Sequence, residues 1–203
     1  MLRYVAAHRS RLFAENVTSR TAVSWSNGVH AIVHQDRYSR GEVLKRILFV
    51  SRRNSLRSVL AQSCLMRIGG HLFAAESCGQ PGQLAKAIHP AALASLENAR
   101  IPLATAGPRP WTDFTRTSAP RMDFVVTLDE KVLTSEPSWP GQPISALWSF
   151  EDVAAVDDPA RASHAAMQTL FALQRRLELL INLPLQHSDA SALRSDLRDL
   201  GRM

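Results

Sequence analysis

The sequence predicts an α/β fold with one four-stranded parallel sheet flanked by helices. From Lys45 onward, short apolar runs of strand length alternate with longer segments of helical periodicity. Strands that alternate with helices are typical of parallel sheets whose faces are covered by helices. With 203 residues, of which 45% are hydrophobic, the chain is long enough for one domain with a sizeable core and an attached segment.

Two strands and two helices are predicted in the first half of this domain. A short apolar strand, RILFV, covers 46–50, and a helix follows from Ser58 until a glycine pair ends it. The apolar run HLFAAESC at 71–78 predicts the second strand. The second helix covers 89–100, and Pro90 lies near its start, where a missing N–H costs little.

The second half of the domain supplies two more strands and two helices. MDFVVTL at 122–128 and ISALW at 144–148 predict strands, and the proline-rich segment 129–143 between them predicts a loop. A long helix is expected over 159–183, because apolar residues recur along one of its faces. Those residues are Ala166, Leu170, Leu173, Leu177 and Leu180. A last helix covers about 190–200.

Residues 1–44 are predicted to form an N-terminal extension to the domain at 45–203. The first part of the extension is rich in arginine with one acidic residue, Glu15, and resembles a transit peptide only weakly. The stretch TAVSWSNGVHAIVHQ alternates on both sides of the Asn27-Gly28 pair, which is typical of a β-hairpin. A poorly ordered extension is the other interpretation.

The net charge of +6 and the pI of about 10.1 raise the question of nucleic-acid binding. The charge is spread out, since residues 1–44 hold six arginines and three acidic residues, and the remaining 159 residues hold 18 basic and 15 acidic ones. The sequence has no lysine-rich tract and no interleaved aromatic platform. Nucleic acid is therefore not the expected partner, and basic charge around an anion-binding loop explains the balance equally well.

The apolar runs and the two cysteines of the sequence predict where in the cell the protein resides. No apolar run approaches the roughly 20 residues of a membrane-spanning helix, so no membrane partner is expected. Cys64 and Cys78 do not make a disulfide framework, and we expect two buried structural thiols in a reducing cytoplasm. His71 and His89 lack metal-ligand spacing, and neither a metal nor a cofactor is expected.

The stretch ILFVSRRNSLRS, residues 47–58, raises the main functional question. An apolar strand ends in a polar loop, and a helix starts behind it. The N–H groups of such a loop can converge on one point, to which the helix turns its positive end. Arg57 adds a planar fork of donors that suits two oxygens of a tetrahedral anion. Because the Walker A pattern is absent, the expected ligand is a phosphate, arsenate or sulfate group held by one arginine.

The spacing from Ser51 through five residues to Arg57 and Ser58 resembles the C-x5-R-S signature of low-molecular-weight protein tyrosine phosphatases and of the arsenate reductases that share their fold. AAESCG and HPAALASLENARIPL resemble the end of the family's second strand and its second helix. APRMDFVVTL, PSWPGQPISALWSFED and LINLPL resemble the arsenate reductase branch in order and spacing. The resemblance covers about 46–202 and implies a flavodoxin-like strand order.

The resemblance also implies roles for the loop residues. The family's first loop residue is a cysteine whose thiolate attacks phosphorus or arsenic, and an aspartic acid on a later loop protonates the leaving group. Arg57 matches the family's arginine, Ser58 the serine that hydrogen-bonds the thiolate, and Asn54 an asparagine that shapes the loop. Asp152 falls on the general-acid position. The remaining positions of the implied oxyanion-binding loop are Arg52, Arg53, Ser55 and Leu56.

The sequence departs from the family at the residues that carry the chemistry. Ser51 stands in place of the nucleophilic cysteine, and an alcohol is harder to ionise than a thiol and needs a base beside it, yet the loop has no histidine. The two relay cysteines of the arsenate reductases are absent from TLDEKVLTSEPSWPG, where Glu136 stands in place of the second. Leu147 and Val153 replace a usual histidine and a usual proline. Arsenate reduction by the family's redox route is therefore not expected.

Three functions remain open. The leading one is a phosphatase-like or arsenate reductase-like protein that binds phosphate or arsenate in the Ser51–Ser58 loop. It would be catalytically impaired, with at most slow phosphate-ester hydrolysis that uses Asp152 as acid. The second is a pseudoenzyme that senses the anion or docks a phosphorylated protein. The third is nucleic-acid or partner binding through the basic N-terminal segment. Several independent losses indicate natural divergence toward a non-catalytic or altered role rather than one engineered change.

Overall fold

The computed structural model describes residues 44–186 and 188–203. Its strands are β1 (Lys45–Ser51), β2 (Phe73–Gly79), β3 (Phe124–Thr127) and β4 (Ile144–Leu147). Its helices are α1 (Arg57–Gly69), α2 (Pro90–Asn98), α3 (Thr112–Thr115), α4 (Pro159–Ile181) and α5 (Ala190–Gly201), with short 3-10 helices at Glu130–Val132 and Val153–Ala155. The four strands form a parallel sheet in the order β2-β1-β3-β4, so the predicted fold class and strand order are confirmed.

Alternate side chains of the central strand β1 pack on opposite faces of the sheet, as the two-residue period of a strand requires. Ile47 and Phe49 belong to the larger core, which also holds residues of α1, α4 and α5. Leu48 and Val50 belong to a smaller core that includes Phe114 of α3. Because both faces are covered, β1 is continuously apolar from Ile47 to Val50 instead of alternating with polar residues.

The apolar face predicted for the long helix is buried in the larger core of the structure. All five residues that define it are fully buried, namely Ala166, Leu170, Leu173, Leu177 and Leu180. The helix begins at Pro159, whose missing N–H would have no helical partner in the first turn. Asp158 caps the same end, since its side chain accepts hydrogen bonds from the N–H groups of Ala160 and Arg161.

A few element boundaries differ from the predicted ones. Helix α1 begins at Arg57, one residue earlier than expected. Helix α3 and the 3-10 helix at Glu130–Val132 were not predicted, because elements of three or four residues are too short to show a period. The predicted Asn27-Gly28 hairpin and the rest of the extension before Leu44 lie outside the described residues. Among the helices of residues 44–186 and 188–203, none combines the length and the apolar character that a membrane-spanning segment requires.

Candidate functional site

The loop between β1 and α1 lies at the carboxyl end of the central strand, beside the end of β3. In the strand order β2-β1-β3-β4, the chain leaves β1 for β2 on one side and leaves β3 for β4 on the other, so the direction of the connections reverses between β1 and β3. Open parallel sheets bind their ligands at such a switch point. Ser51 closes β1, and Asp129 follows the end of β3 at the same edge. The edge therefore brings together the predicted loop and a carboxylate that the sequence analysis did not single out.

The carbonyl groups of the loop are turned outward. Those of Arg52, Arg53 and Ser55 accept hydrogen bonds of 3.0, 3.0 and 2.9 Å from backbone N–H groups of the segment 80–89. A trans peptide is planar, and its C=O and N–H groups point in opposite directions. Each outward carbonyl therefore turns the next residue's N–H toward the inside of the loop.

The N–H groups turned inward belong to Arg53, Asn54 and Leu56. Within the described residues, none of the three donates a backbone hydrogen bond. Asn54 has a φ of 47°, in the left-handed region that asparagine tolerates better than most residues. Successive N–H groups that face one concavity around such a residue form a nest, which is a backbone geometry that binds anions.

Asn54 holds the loop in shape through both ends of its side-chain amide. Its Oδ1 accepts a 2.7 Å hydrogen bond from the backbone N–H of Arg109. Because a backbone N–H can only donate, this contact determines which end of the amide is the oxygen. The Nδ2 group then donates to the hydroxyls of Ser58 and Ser77, both at 2.9 Å. Asn54 is fully buried, so this role fits the loop-shaping one implied by the resemblance.

Within the described residues, the hydroxyl of Ser51 has another hydroxyl as its hydrogen-bond partner and no base beside it. Its Oγ lies 2.8 Å from the Oγ of Ser58, and both residues are buried. Ser58 in turn accepts from Asn54, whose amide cannot take up a proton at neutral pH. A serine nucleophile needs a neighbouring base to remove its proton. The contacts of Ser51 supply none.

Gly79 is needed where β2 passes the loop. A methyl group there would lie 3.0 Å from the carbonyl oxygen of Arg52, 3.0 Å from Cβ of Asn54 and 2.8 Å from Cδ2 of Leu84. We expect Gly79→Ala to lower the free energy of unfolding by about 1–3 kcal/mol, because the loop backbone would have to shift. Denaturant titration measures this loss. Gly107→Ala is the control, since nothing lies within 4 Å of that position, and equal losses in both variants would contradict the prediction.

Arg57 is buried and points toward the ends of β3 and β4. Its Nη1 donates to the carbonyl of Phe150 at 2.8 Å. Its Nη2 lies 2.6 Å from Oδ2 of Asp129 and 3.2 Å from Oδ1 of Asp152. The arginine that was predicted to clamp an anion is therefore already paired with two carboxylates.

Arg52 and Arg53 also contact the segment that carries Asp152. Arg52 Nη2 lies 2.6 Å from Oδ2 of Asp152, and Arg53 Nη1 donates to the carbonyl of Ala154 at 3.3 Å. Arg52, Arg57, Asp129 and Asp152 thus form an ion-pair quartet with no net formal charge. Both oxygens of Asp152 face a guanidinium group, whereas a general acid has to carry and donate a proton.

Two carboxylates of this region have contacts that the sequence analysis missed. Asp129 is 4% exposed, and its pairing with Arg57 is the shortest contact of that guanidinium. The sequence carried one signal for Asp129, which is its position directly after a buried strand. The carboxyl ends of parallel strands lie together at one edge of the sheet, where ligands bind. Glu136, at the second relay-cysteine position, accepts from Thr127 Oγ1 at 2.8 Å and from Trp139 Nε1 at 2.7 Å. This carboxylate therefore braces the loop after β3.

Neither cysteine can replace the missing nucleophile. Cys64 and Cys78 are both fully buried free thiols, as predicted. Burial raises the pKa of the Cys64 thiol to about 12, and the charge of Glu178 adds to this effect. Burial likewise raises the pKa of Cys78 well above its usual value. A thiol attacks as the thiolate, so both are inert near neutral pH. In the described part of the chain, no cluster of three or more His, Cys, Asp or Glu side chains could hold a metal ion.

Comparison with known proteins identifies the family of this chain. A family model described as low molecular weight phosphotyrosine protein phosphatase matches residues 46–187. The chain belongs to this family. The resemblance found in the sequence is thereby confirmed, and the loop from Ser51 to Ser58 lies inside the matched region.

Relatives within the family include arsenate reductases. The glutaredoxin arsenate reductase of Synechocystis sp. (strain ATCC 27184 / PCC 6803 / Kazusa) is 30% identical over 109 residues, which are 54% of this chain and 79% of that protein. A solved arsenate reductase in the phosphate binding state is 27% identical, with a TM-score of 0.53, and the match covers 68% of this chain and 97% of the other. A second, in the oxidized state, is 26% identical with a TM-score of 0.55 and the same coverage.

Proposed function

We propose that this phosphatase-like and arsenate reductase-like protein binds phosphate or arsenate in the Ser51–Ser58 loop and is catalytically impaired. The observation that carries the proposal is the outward turn of three loop carbonyls, which directs N–H groups to the inside of the loop. Helix α1 begins at Arg57 and turns its positive end to the same place. One of the similar solved structures is an arsenate reductase in the phosphate binding state, which supports the same class of ligand.

The catalytic impairment rests on three features of the site. Among the residues that the structure describes, the hydrogen-bond partner of Ser51 is the hydroxyl of Ser58, so no base is in place to activate it. Asp152 faces guanidinium groups with both oxygens and is not turned to donate a proton. The segment after β3 contains no cysteine to relay oxidation, since the chain's two cysteines are Cys64 and Cys78. Redox reduction of arsenate by a cysteine relay is thus not part of the proposed function.

The ion-pair quartet favours a sensor within this proposal. An anion that pairs with Nη2 of Arg57 would compete with Asp129 and Asp152, which both contact that atom. The segment around Asp152 would then lose one of its anchors and could change position when the anion binds. A phosphate group on a protein keeps three non-bridging oxygens, one fewer than free phosphate, so a phosphorylated protein is the second candidate ligand.

The cysteines and the N-terminal segment bear on the compartment and on other partners. Buried free thiols fit a reducing compartment, and we therefore propose a cytoplasmic location. Nucleic-acid binding through the basic N-terminal segment stays a prediction, because that segment lies outside the described residues. A steep fall of DNA affinity with rising salt would favour it.

Thermal unfolding with added anions tests the proposal. We expect phosphate and arsenate to raise the unfolding midpoint, because a ligand at about 100 times its dissociation constant stabilises the native state by roughly 2.7 kcal/mol. For a domain of this size, the midpoint rises by roughly 5–10 °C. Sulfate tests selectivity among tetrahedral anions, and chloride at equal ionic strength controls for screening of surface charge.

The same measurement separates binding from turnover. Hydrolysis of an aryl phosphate is followed in parallel, and a midpoint shift without turnover is the result that an impaired enzyme or a sensor should give. No shift with phosphate or arsenate would overturn the proposal, because the loop would then not bind its expected ligand. Rapid turnover by the unaltered protein would overturn the impairment while leaving anion binding in place.

A further inference from the structure

A network of buried polar side chains connects the anion loop with helix α1 and strand β2. Its members, in order, are Gln62, Ser77, Asn54, Ser58 and Ser51, and none of them is more than 4% exposed. Hydrogen bonds of 2.7, 2.9, 2.9 and 2.8 Å join neighbouring members. Gln62 and Ser77 have no part in the proposed function, and Ser51 enters it only as a nucleophile without a base.

Gln62 determines the direction of the first hydrogen bond in this polar network. Its Nε2 group donates to the backbone carbonyls of Ala75 and Ala104, both at 3.1 Å. Because a backbone carbonyl can only accept, the other end of the amide is the oxygen. The hydroxyl of Ser77 therefore donates its single proton to Oε1 of Gln62.

Asn54 continues the network in the same direction. Its Nδ2 group can only donate, since its Oδ1 is the atom that accepts from the N–H of Arg109. One Nδ2 proton goes to the oxygen of Ser77 and the other goes to the oxygen of Ser58. The hydroxyl of Ser58 thus accepts one hydrogen bond and still has its own proton to donate.

The last two hydroxyls of the network carry one proton more than they can share. Ser51 and Ser58 have one O–H proton each, and the contact between them uses one of the two, whichever atom donates. Among the described residues, neither hydroxyl has a further acceptor. A buried donor without an acceptor costs free energy. One more acceptor at this end of the network would complete its hydrogen bonds.

An oxygen of the bound anion is the acceptor that fits this position. Ser51 closes β1 directly before the loop, and its Oγ contacts Ser58 in the first turn of α1, beside the positive end of that helix. When Ser58 donates to Ser51, the remaining proton is on Ser51 and is available to the anion. A thiolate in place of Ser51 would accept the proton of Ser58 but could donate none.

We infer that Ser51 is a hydrogen-bond donor to the bound phosphate or arsenate, with its proton directed by the polar network that starts at Gln62. The inference rests on the proposed function, because it assigns a role within the same loop. Ser51 then adds an O–H donor to the inward N–H groups of the loop. A serine at this position serves binding, since it puts a neutral donor where a thiolate would repel the anion.

Calorimetric titration of the full chain with inorganic phosphate tests the inference. We expect Ser51→Ala to raise the dissociation constant about tenfold, a typical effect of losing one hydrogen bond to a charged group. Ser51→Cys should also raise it about fivefold or more, because a thiol is a weak donor and a thiolate is none. Ser95→Ala is the matched control. It removes a buried hydroxyl that donates to the carbonyl of Ala91 within α2, and it should leave the dissociation constant unchanged.

Denaturant titration with and without phosphate separates donation to the anion from support of the loop. A hydroxyl that only supports the loop would lower the free energy of unfolding equally in both conditions, whereas a donor to the anion reduces the stabilisation that phosphate adds. If the unaltered protein binds phosphate and either Ser51 variant binds it equally tightly, the inference is wrong while the proposed function stands. An equal loss of stability in both conditions for Ser51→Ala, or an equal loss of affinity in Ser95→Ala, would also contradict it. If the unaltered protein binds no phosphate, the inference and the proposed function are both wrong.

Discussion

Replacement of Arg57 by alanine should abolish the rise in unfolding midpoint with phosphate and lower the free energy of unfolding by about 3–5 kcal/mol. The loss of stability follows from Asp129, which is 4% exposed and would lose its 2.6 Å contact with Arg57. Burying a carboxylate without a counter-charge costs far more free energy than burying an ion pair. The loss of binding follows from the proposed function, in which Arg57 is the forked donor that pairs with the anion.

Denaturant titration and thermal unfolding measure the two effects of Arg57→Ala separately. The double variant Arg57→Ala/Asp129→Asn should recover much of the stability, because no unpaired charge remains, and should still show no response to phosphate. Arg67→Ala is the control, since this arginine is exposed in the last turn of the same helix and should cost less than about 0.5 kcal/mol. A phosphate response that survives in Arg57→Ala would contradict the assignment of the clamp.

Substitution of Ser51 by cysteine should raise the hydrolysis of an aryl phosphate by roughly a hundredfold or more. A thiol at this position would lie near the inward N–H groups and the start of α1, which favour the thiolate. The hydroxyl of Ser58, now 2.8 Å from Ser51 Oγ, would serve as its hydrogen-bond donor. We nevertheless expect turnover below about 1 per second, the low end for enzymes, because Asp152 faces Arg52 and Arg57 with both oxygens.

Steady-state kinetics with p-nitrophenyl phosphate measure this gain. Ser51→Ala provides the baseline without a nucleophile, and Ser51→Cys/Arg57→Ala should return to that baseline. If Ser51→Cys is no faster than Ser51→Ala, the impairment lies outside the nucleophile position. If it is instead a fast phosphatase, the site is an otherwise complete enzyme, and the hypothesis of natural divergence toward another role loses its support.

The regular elements of the domain could be predicted because their signals are local. Leu170, Leu173 and Leu177 recur at helical spacing, and the run from Ile47 to Val50 is apolar on both faces of its strand. Such patterns follow from the 3.6-residue and two-residue periods of helix and strand. The short helix α3 shows no period within its four residues and depends on its contacts with the smaller core for its existence.

The candidate site was predictable only in part. The Ser51–Ser58 loop could be found because its residues are contiguous and their spacing resembles that of a known family. The partners of Arg57 could not be found in this way, since Asp129 and Asp152 lie 72 and 95 positions further along the chain. Asp152 was singled out as an acid, but nothing in the sequence indicated that it would pair with Arg52 and Arg57.

Residue order alone established the class of fold, the position of the loop and the absence of a cysteine at its first residue. These properties depend on residue type and on short-range periodicity, which the chain carries whether folded or not. Folding decided which charged side chains are paired at the site, because pairing in the sheet places the ends of β1 and β3 side by side and brings Asp129 to Arg57. Folding also decided which loop groups remain available to bind an anion. The segment after β2 donates hydrogen bonds to the carbonyls of Arg52, Arg53 and Ser55, and the next N–H groups therefore turn inward.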